Sequence, residues 1–145
     1  MKKCLFKYGN YNINNLFDSH PSKINLHGQW IALKNQLYKL GIELVSKEFL
    51  NSKSPDLEIH LNVWKKEKIK WPIFCILTET SYIHPDNSNI DLLKEYNHVF
   101  SWNPDLVDIG LATKIRLAHP MSKVIIDGYK KRDQLVVLFG SNRSI

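Results

Sequence analysis

Apolar runs separated by polar stretches predict most of the strands in this chain. Ile73–Leu77 and Leu135–Phe139 are apolar throughout, which is typical of strands buried on both faces of a parallel sheet. Leu57–Val63 instead alternates apolar residues with polar ones such as Glu58 and His60, so we expect a strand with one wetter face. Shorter strands are predicted at Cys4–Phe6, Ile42–Val45, Val99–Trp102 and, at an edge, Lys114–Leu117.

One longer helix is predicted from large apolar residues that recur three and four positions apart. Trp30, Leu33, Leu37 and Leu40 form this stripe, and Gly41 marks the end of the helix. We expect the stripe to lie in the core. Two shorter helices are predicted, one over Ile90–Tyr96 and one that begins at the cap Asn103 and stops at Gly110.

The alternation of strands with helices predicts the fold class. We expect a Rossmann-like, three-layer α/β domain with a mainly parallel sheet. The chain has 145 residues, which is enough for one such domain with a substantial core. We assign residues 1–133 to this domain and residues 134–145 to an interdomain strand or the start of a truncated second domain. No Gly-x-Gly-x-x-Gly motif follows the first strand, so a dinucleotide site is not predicted.

Net charge and cysteine content narrow the partners and the compartment. The net charge of +6 favours anionic partners, such as nucleic acid, phosphate-bearing sugars or lipids, or an acidic membrane face. The two cysteines, Cys4 and Cys75, each lie in an apolar run, which indicates buried, reduced thiols. We therefore expect a cytoplasmic protein, with peripheral membrane contact as a further option.

The lysine-rich segment Trp64–Trp71 has two interpretations. Basic residues between aromatic ones occur in nucleic-acid binders, but Glu67 interrupts the charge and no recognised nucleic-acid motif is present. We favour a solvated connection whose two tryptophans pack on the core. Weak attraction to an anionic membrane surface remains a secondary hypothesis, and nucleic-acid binding is disfavoured.

Glu79 follows the buried Ile73–Leu77 strand and is the strongest candidate for an active-site residue. Ligands of open α/β sheets bind outside the carboxyl ends of the strands, and a carboxylate placed there is suited to act as a general base. Thr78, Thr80 and Ser81 add hydroxyls suited to binding a sugar or another polyol. The structural alternative is that Glu79 caps the next loop or pairs with a lysine.

His84 lies close enough in sequence to share a cleft with Glu79 as a hydrogen-bond partner. The alternative is that His84, Pro85 and Asp86 simply form a turn, because proline and aspartate are common turn residues. None of the six histidines has a His-x-His or His-x-x-x-His spacing, so no metal site is predicted. We also expect no cofactor.

Three blocks of residues occur in a recognisable order along the chain. They are Glu79-Thr80-Ser81 with His84-Pro85, then Val99–Leu106, then Lys131-Arg132 leading into Leu135–Phe139 and Ser141-Asn142. Together they resemble the fucosyltransferase-type glycosyltransferases of family 10. The N-terminal part, with Asn14–Phe17 and the Trp30–Gly41 helix, is similar only diffusely.

The resemblance implies the N-terminal, acceptor-side half of a GT-B glycosyltransferase. In that family the matching glutamate deprotonates the acceptor hydroxyl during an inverting, metal-independent transfer from a nucleotide sugar, and here that role falls on Glu79. The donor domain of the family would begin where this sequence stops, so a nucleotide-sugar donor is expected only if a second domain is supplied. Asn142 and Arg143 would be remnants of that donor side. The expected contacts to the saccharide acceptor are Thr78, Thr80, Ser81 and His84.

The sequence therefore supports two alternative functions. The first is the acceptor-side domain of a fucosyltransferase-like enzyme, incomplete as an isolated chain. The second is a non-catalytic Rossmann-like module that binds a glycan, an anionic surface or a protein partner.

Overall fold

A computed structural model describes residues 1–8, 28–50, 54–64 and 69–116. Several predictions lie outside these ranges. They are the strand Leu135–Phe139, the boundary near residue 133, the donor-side residues Asn142 and Arg143, and most of the lysines between Trp64 and Trp71.

The described residues form a sheet of six parallel strands in the order β2-β1-β3-β4-β5-β6. The chain order reverses between β1 and β3, as in doubly wound α/β folds. The predicted Rossmann-like α/β class, with a mainly parallel sheet, is confirmed. The strands are β1 Lys2–Lys7, β2 Ile42–Val45, β3 Leu57–Leu61, β4 Ile73–Leu77, β5 His98–Ser101 and β6 Thr113–Lys114, and the helices are α1 Gly28–Lys39, α2 Ile90–Lys94 and α3 Pro104–Asp108.

Apolar side chains cover both faces of the sheet, which gives the domain three layers. On one face Trp30 of α1 packs against Phe6 of β1, with their ring centroids 5.5 Å apart. On the opposite face Leu93 of α2 and Leu106 of α3 form a second cluster with the buried side chains of β4 and β5 that point to that face. Cys4 and Cys75 are buried, one in each cluster, and are not joined in a disulfide, as the apolar runs around them predicted.

Strand β4 contributes to both layers. Ile73, Cys75 and Leu77 are buried in the α2–α3 layer, whereas Phe74 and Ile76 pack, partly buried, in the layer of α1. The uninterrupted apolar run therefore corresponds to a strand covered on both faces, as predicted.

The predicted apolar stripe of α1 is wrong at its last position. Trp30 is buried and Leu33 and Leu37 pack against the same cluster, but Leu40 is 75% exposed. The reason is that the helix ends at Lys39, so Leu40 lies in the turn before Gly41 and no longer follows the helical period. Gly41 has φ 77, a conformation that favours glycine at a helix end.

The expected wetter face of β3 is also wrong. Glu58 and His60 are 2% and 0% exposed, because the α2 side of the sheet covers them. Glu58 Oε2 lies 2.7 Å from His60 Nε2 and 3.0 Å from Lys7 Nζ, and Trp71 Nε1 donates to Glu58 Oε1 at 2.9 Å. Burial alone would raise the pKa of Glu58, but these hydrogen bonds outweigh it and lower the pKa to about 2.

The network continues from His60 to Tyr96, just beyond α2, and then to the backbone of Trp64. Tyr96 Oη lies 3.2 Å from His60 Nδ1 and accepts a hydrogen bond from the Trp64 backbone N–H at 3.1 Å. The Trp64 indole donates to the carbonyl of Leu61 at 2.9 Å. Together with the hydrogen bond from Trp71 to the Glu58 carboxylate, these contacts hold Trp64 and Trp71 against the domain, as predicted. The network thus joins β1 and β3 to the segments that contain Trp64, Trp71 and Tyr96.

Candidate functional site

A cleft of about 140 Å³ opens at the carboxyl ends of β4 and β5. One wall follows β4, the second follows β5, and the short 3-10 helix Pro85–Ser88 contributes the third. This is the edge of a parallel sheet at which ligands bind in open α/β folds. The lining residues are Leu77, Glu79, Thr80, Ser81, Asn87, Ser88, Ser101, Trp102, Asn103 and Leu106.

The first wall carries a carboxylate that has no protein partner within the described ranges. The apolar run of β4 ends at Leu77, and Glu79 lies two residues beyond, partly exposed and lining the cleft. No hydrogen bond or ion pair joins its carboxylate to any residue that the structure describes. Over this part of the chain, the cap or lysine pair proposed as the structural alternative is not observed.

The second wall is built by local capping at the end of β5. Ser101 Oγ accepts a hydrogen bond from the backbone N–H of Asn103 at 3.0 Å, and Asn103 Oδ1 accepts one from Asp105 at 3.0 Å. These bonds begin α3, with Pro104 as its first residue. Between the two capping residues Trp102 is 38% exposed, so an aromatic surface borders the cleft.

Asn62 and Asn87 tie the first and third walls together. Asn62 follows β3 with φ 64, and its Oδ1 accepts hydrogen bonds from the Thr78 and Glu79 backbone N–H groups at 2.9 and 3.1 Å. The same oxygen accepts from Asn87 Nδ2 at 2.9 Å, and Asn87 Nδ2 also donates to the Glu79 carbonyl at 2.9 Å. Asn87 Oδ1 accepts from the Val63 backbone N–H at 3.0 Å. We call this pair the Asn62–Asn87 clasp.

The structure brings together some of the predicted site residues. Glu79, Thr80 and Ser81 line the cleft. Thr78 does not line it, and its hydroxyl donates to Asn62 Oδ1 at 3.2 Å. His84 is not among the lining residues either, and its buried Nδ1 has no hydrogen-bond partner in the part of the chain that the structure describes. Asn142 and Arg143 lie outside the described residues.

Sequence reasoning did not assign Asn62, Asn87 or Ser88 to the site. A weak signal existed for Asn62, because it is a polar residue at the end of an apolar strand pattern. Nothing local marked Asn87, whose role depends on contact with a residue 25 positions earlier. For Trp102 and Asn103 the sequence indicated only a strand, a helix cap and part of the family resemblance.

The arrangement is suited to binding a polar molecule that also has an apolar face. The cleft offers a carboxylate as acceptor, hydroxyls of serine and threonine, an amide and an indole ring. Among the described residues, no group of three or more histidine, cysteine, aspartate or glutamate side chains is placed to hold a metal ion. Within the same residues, no helix is both long enough and apolar enough to cross a membrane.

The fold and the cleft define a Rossmann-like parallel α/β domain with a polar pocket at the carboxyl edge of its sheet. Comparison of the chain with protein-family models, with curated proteins and with solved structures finds no significant match.

Proposed function

We propose that this chain is the acceptor-side domain of a fucosyltransferase-like glycosyltransferase, and that Glu79 is its general base. The observation that carries the proposal is the Glu79 carboxylate, which has no partner among the described residues and lines a cleft shared with hydroxyl, amide and indole groups. A carboxylate already engaged in a salt bridge or a cap is a poor base, whereas this one has no such engagement among the described residues.

In this reaction the oxygen of an acceptor hydroxyl attacks the anomeric carbon of a nucleotide sugar. The bond from that carbon to the diphosphate breaks, and its electron pair leaves with the nucleoside diphosphate. Glu79 accepts the proton that the hydroxyl loses as the new glycosidic bond forms, and attack from the face opposite the leaving group inverts the anomeric centre. The resemblance to family 10 assigns the donor to a second domain, whose basic groups would stabilise the departing diphosphate.

The remaining lining residues suit a saccharide acceptor. Ser81 carries a hydroxyl that can both donate and accept hydrogen bonds, as the hydroxyls of sugars do, whereas the Ser88 hydroxyl donates to the Pro85 carbonyl at 3.0 Å and offers the cleft an acceptor. The exposed part of the Trp102 ring offers an apolar surface to the C–H groups of a sugar ring. A carboxylate, hydroxyls and an aromatic ring in one cleft match the mixed polar and apolar surface of a carbohydrate.

The proposal is tested by saccharide binding followed by transfer. The chain is applied to an array of neutral oligosaccharides, and the bound ones are incubated with a panel of nucleotide sugars, with the chain alone and with a supplied donor domain. We expect Glu79→Gln to retain saccharide binding within about threefold but to lower transfer by roughly 10²–10⁴-fold, which is the range for loss of a general base. Trp102→Ala should instead weaken saccharide binding.

Asp91→Asn is the matched control, because Asp91 is an exposed carboxylate on α2 that does not line the cleft. Normal transfer by Glu79→Gln contradicts the base assignment. Saccharide binding at the cleft without transfer under any condition favours the non-catalytic glycan-binding module. A chain that binds no oligosaccharide contradicts both versions.

A further inference from the structure

The backbone around the candidate base is fixed from outside its own strand. Thr78 and Glu79 follow β4, yet both of their backbone N–H groups donate to one oxygen, Oδ1 of Asn62, which belongs to the segment after β3. The Glu79 carbonyl accepts from Asn87 on a third segment. The peptide groups on both sides of the Glu79 side chain are therefore held by two asparagine side chains.

The clasp is more extensive than an ordinary turn requires. Asn62 and Asn87 together make six hydrogen bonds that join the ends of β3 and β4 to the 3-10 helix Pro85–Ser88. Asn87 is buried, at 4% exposed, so its amide is removed from water and depends on these partners. Asn62 adopts φ 64, a left-handed conformation that asparagine reaches more readily than most residues, and this conformation accompanies the convergence of four donors on its side-chain oxygen.

We propose that Asn62 and Asn87 are positioning residues that fix the direction in which the Glu79 carboxylate enters the cleft. This inference rests on the proposed function, because it assigns the clasp to the same site. A base must lie within hydrogen-bond reach of the proton that it removes, so a displacement of about 1 Å is enough to reduce its effect. Asn62 does not line the cleft, whereas Asn87 does. All six bonds of the clasp are made to other groups of the protein, so in this role the two asparagines act through the backbone of Glu79.

The test separates local positioning from overall stability. Asn62→Gly removes the acceptor oxygen but tolerates φ 64, so the backbone conformation itself is not strained. Asn62→Asp keeps an oxygen acceptor at the same place. Asn89→Ala is the matched control, because Asn89 Oδ1 also accepts from two backbone N–H groups, those of Asp91 and Leu92, but it does not line the cleft.

The first measurement is amide hydrogen exchange followed by NMR. We expect Asn62→Gly to accelerate exchange at Thr78 and Glu79 by roughly tenfold, since each of these amides loses its hydrogen-bond acceptor. Asn62→Asp should return both rates to within about threefold of wild type, because a carboxylate oxygen accepts the same bonds. Asn89→Ala should accelerate exchange at Asp91 and Leu92 and leave Thr78 and Glu79 unchanged.

The second measurement is affinity for the oligosaccharide that binds the wild-type chain most tightly, together with the transfer rate where transfer is detected. We expect Asn62→Gly to lower one or both by roughly tenfold, Asn62→Asp to recover them in part, and Asn89→Ala to change neither beyond about twofold. Asn87→Ala tests the second half of the clasp and should accelerate exchange at Val63, but its saccharide affinity does not enter the comparison because Asn87 also lines the cleft. A loss common to Asn62→Gly and Asn89→Ala would indicate a merely structural effect and overturn the inference.

The positioning role would also be overturned if amide exchange at Thr78 and Glu79 were unchanged in Asn62→Gly. It would equally be overturned if exchange became faster while saccharide affinity and transfer stayed at the wild-type level. If the wild-type chain binds no oligosaccharide, the proposed function fails on its own. The exchange rates in Asn62→Gly and Asn62→Asp then still decide whether the clasp fixes the Glu79 backbone.

Discussion

The replacement Glu58→Gln tests how much the buried network contributes to stability. Gln has nearly the shape of Glu, so the substitution removes the charge without opening a cavity. In wild type, the carboxylate bonds to Lys7 Nζ at 3.0 Å, to His60 Nε2 at 2.7 Å and to Trp71 Nε1 at 2.9 Å. The variant leaves the ammonium of Lys7 without its ion-pair partner, although Lys7 is partly exposed and can turn towards water.

The size of the effect follows from the pKa of Glu58 and from the exposure of its partner. The fall in the Glu58 pKa from 4.5 to about 2 corresponds to roughly 3 kcal/mol of preferential stabilisation of the ionised form in the folded state. Removal of one partner from a fully buried ion pair costs about 3–5 kcal/mol, which is an upper limit here because the Lys7 side chain left behind is 38% exposed. We therefore expect Glu58→Gln to lower the free energy of unfolding by roughly 3 kcal/mol at pH 7, a large fraction of the stability of an ordinary domain.

The contribution of Glu58 to stability depends on pH. Because the folded pKa of Glu58 lies below its ordinary value, its contribution is fully present above about pH 4.5 and is lost as the pH falls towards 2. At pH 3 about 2 kcal/mol of it should be gone, so the difference between wild type and Glu58→Gln should shrink to about 1 kcal/mol. Other carboxylates contribute equally to both proteins and cancel in the difference.

Urea denaturation followed by tryptophan fluorescence at pH 7 and pH 3 measures these differences. Glu43→Gln serves as the control, because Glu43 lies on β2, at the edge of the same sheet, and has no ion pair within the described residues. We expect it to change stability by less than about 0.5 kcal/mol at either pH. A loss below about 1 kcal/mol for Glu58→Gln at pH 7, or a loss that is equal at both pH values, would refute the reasoning.

Two further predictions concern the same layer of the core. Tyr96→Phe removes the hydroxyl that bonds to His60 and accepts from the Trp64 backbone, and we expect it to lower the free energy of unfolding by about 1–2 kcal/mol in urea, with a change below about 0.5 kcal/mol counting against the network. Burial raises the pKa of the Cys4 thiol to about 12, and Cys75 is fully buried as well, so iodoacetamide at pH 8 should label both cysteines only after unfolding, as mass spectrometry can show. Rapid labelling of either cysteine in the native chain would contradict the packing.

The elements that sequence patterns predicted well are those whose causes are local. The run Ile73–Leu77 forms β4 because no polar residue interrupts it, and its burial on both faces follows from its place within a covered parallel sheet. The start of α3 is set by the Asn103 cap and by Pro104 behind it, and Gly110 follows its end with φ 73. The hydrogen bonds that cap the two ends of α3 join residues two to six positions apart. The local sequence therefore contains most of the information that determines them.

The candidate site also has one part that the local sequence predicted and one part that it did not. Glu79 was identifiable because it lies two residues beyond a buried strand, at the edge of the sheet where ligands of such folds bind. The clasp was not identifiable, because Asn62 and Asn87 are far apart in sequence and asparagines are common in exposed turns. Only strand pairing brings the end of β3 beside the end of β4 and makes the contact possible.

By itself, the amino-acid sequence determined the parallel α/β class, the order of the strands and helices, and the carboxylate that follows β4. Tertiary structure decided which polar residues are buried and what they contact. The alternation in β3 predicted water around Glu58 and His60, but alternation specifies only that two sets of side chains point to opposite faces. Whether a face meets solvent depends on the elements packed above it, and here Lys7, Trp71 and Tyr96 satisfy the buried charge and imidazole from three different segments.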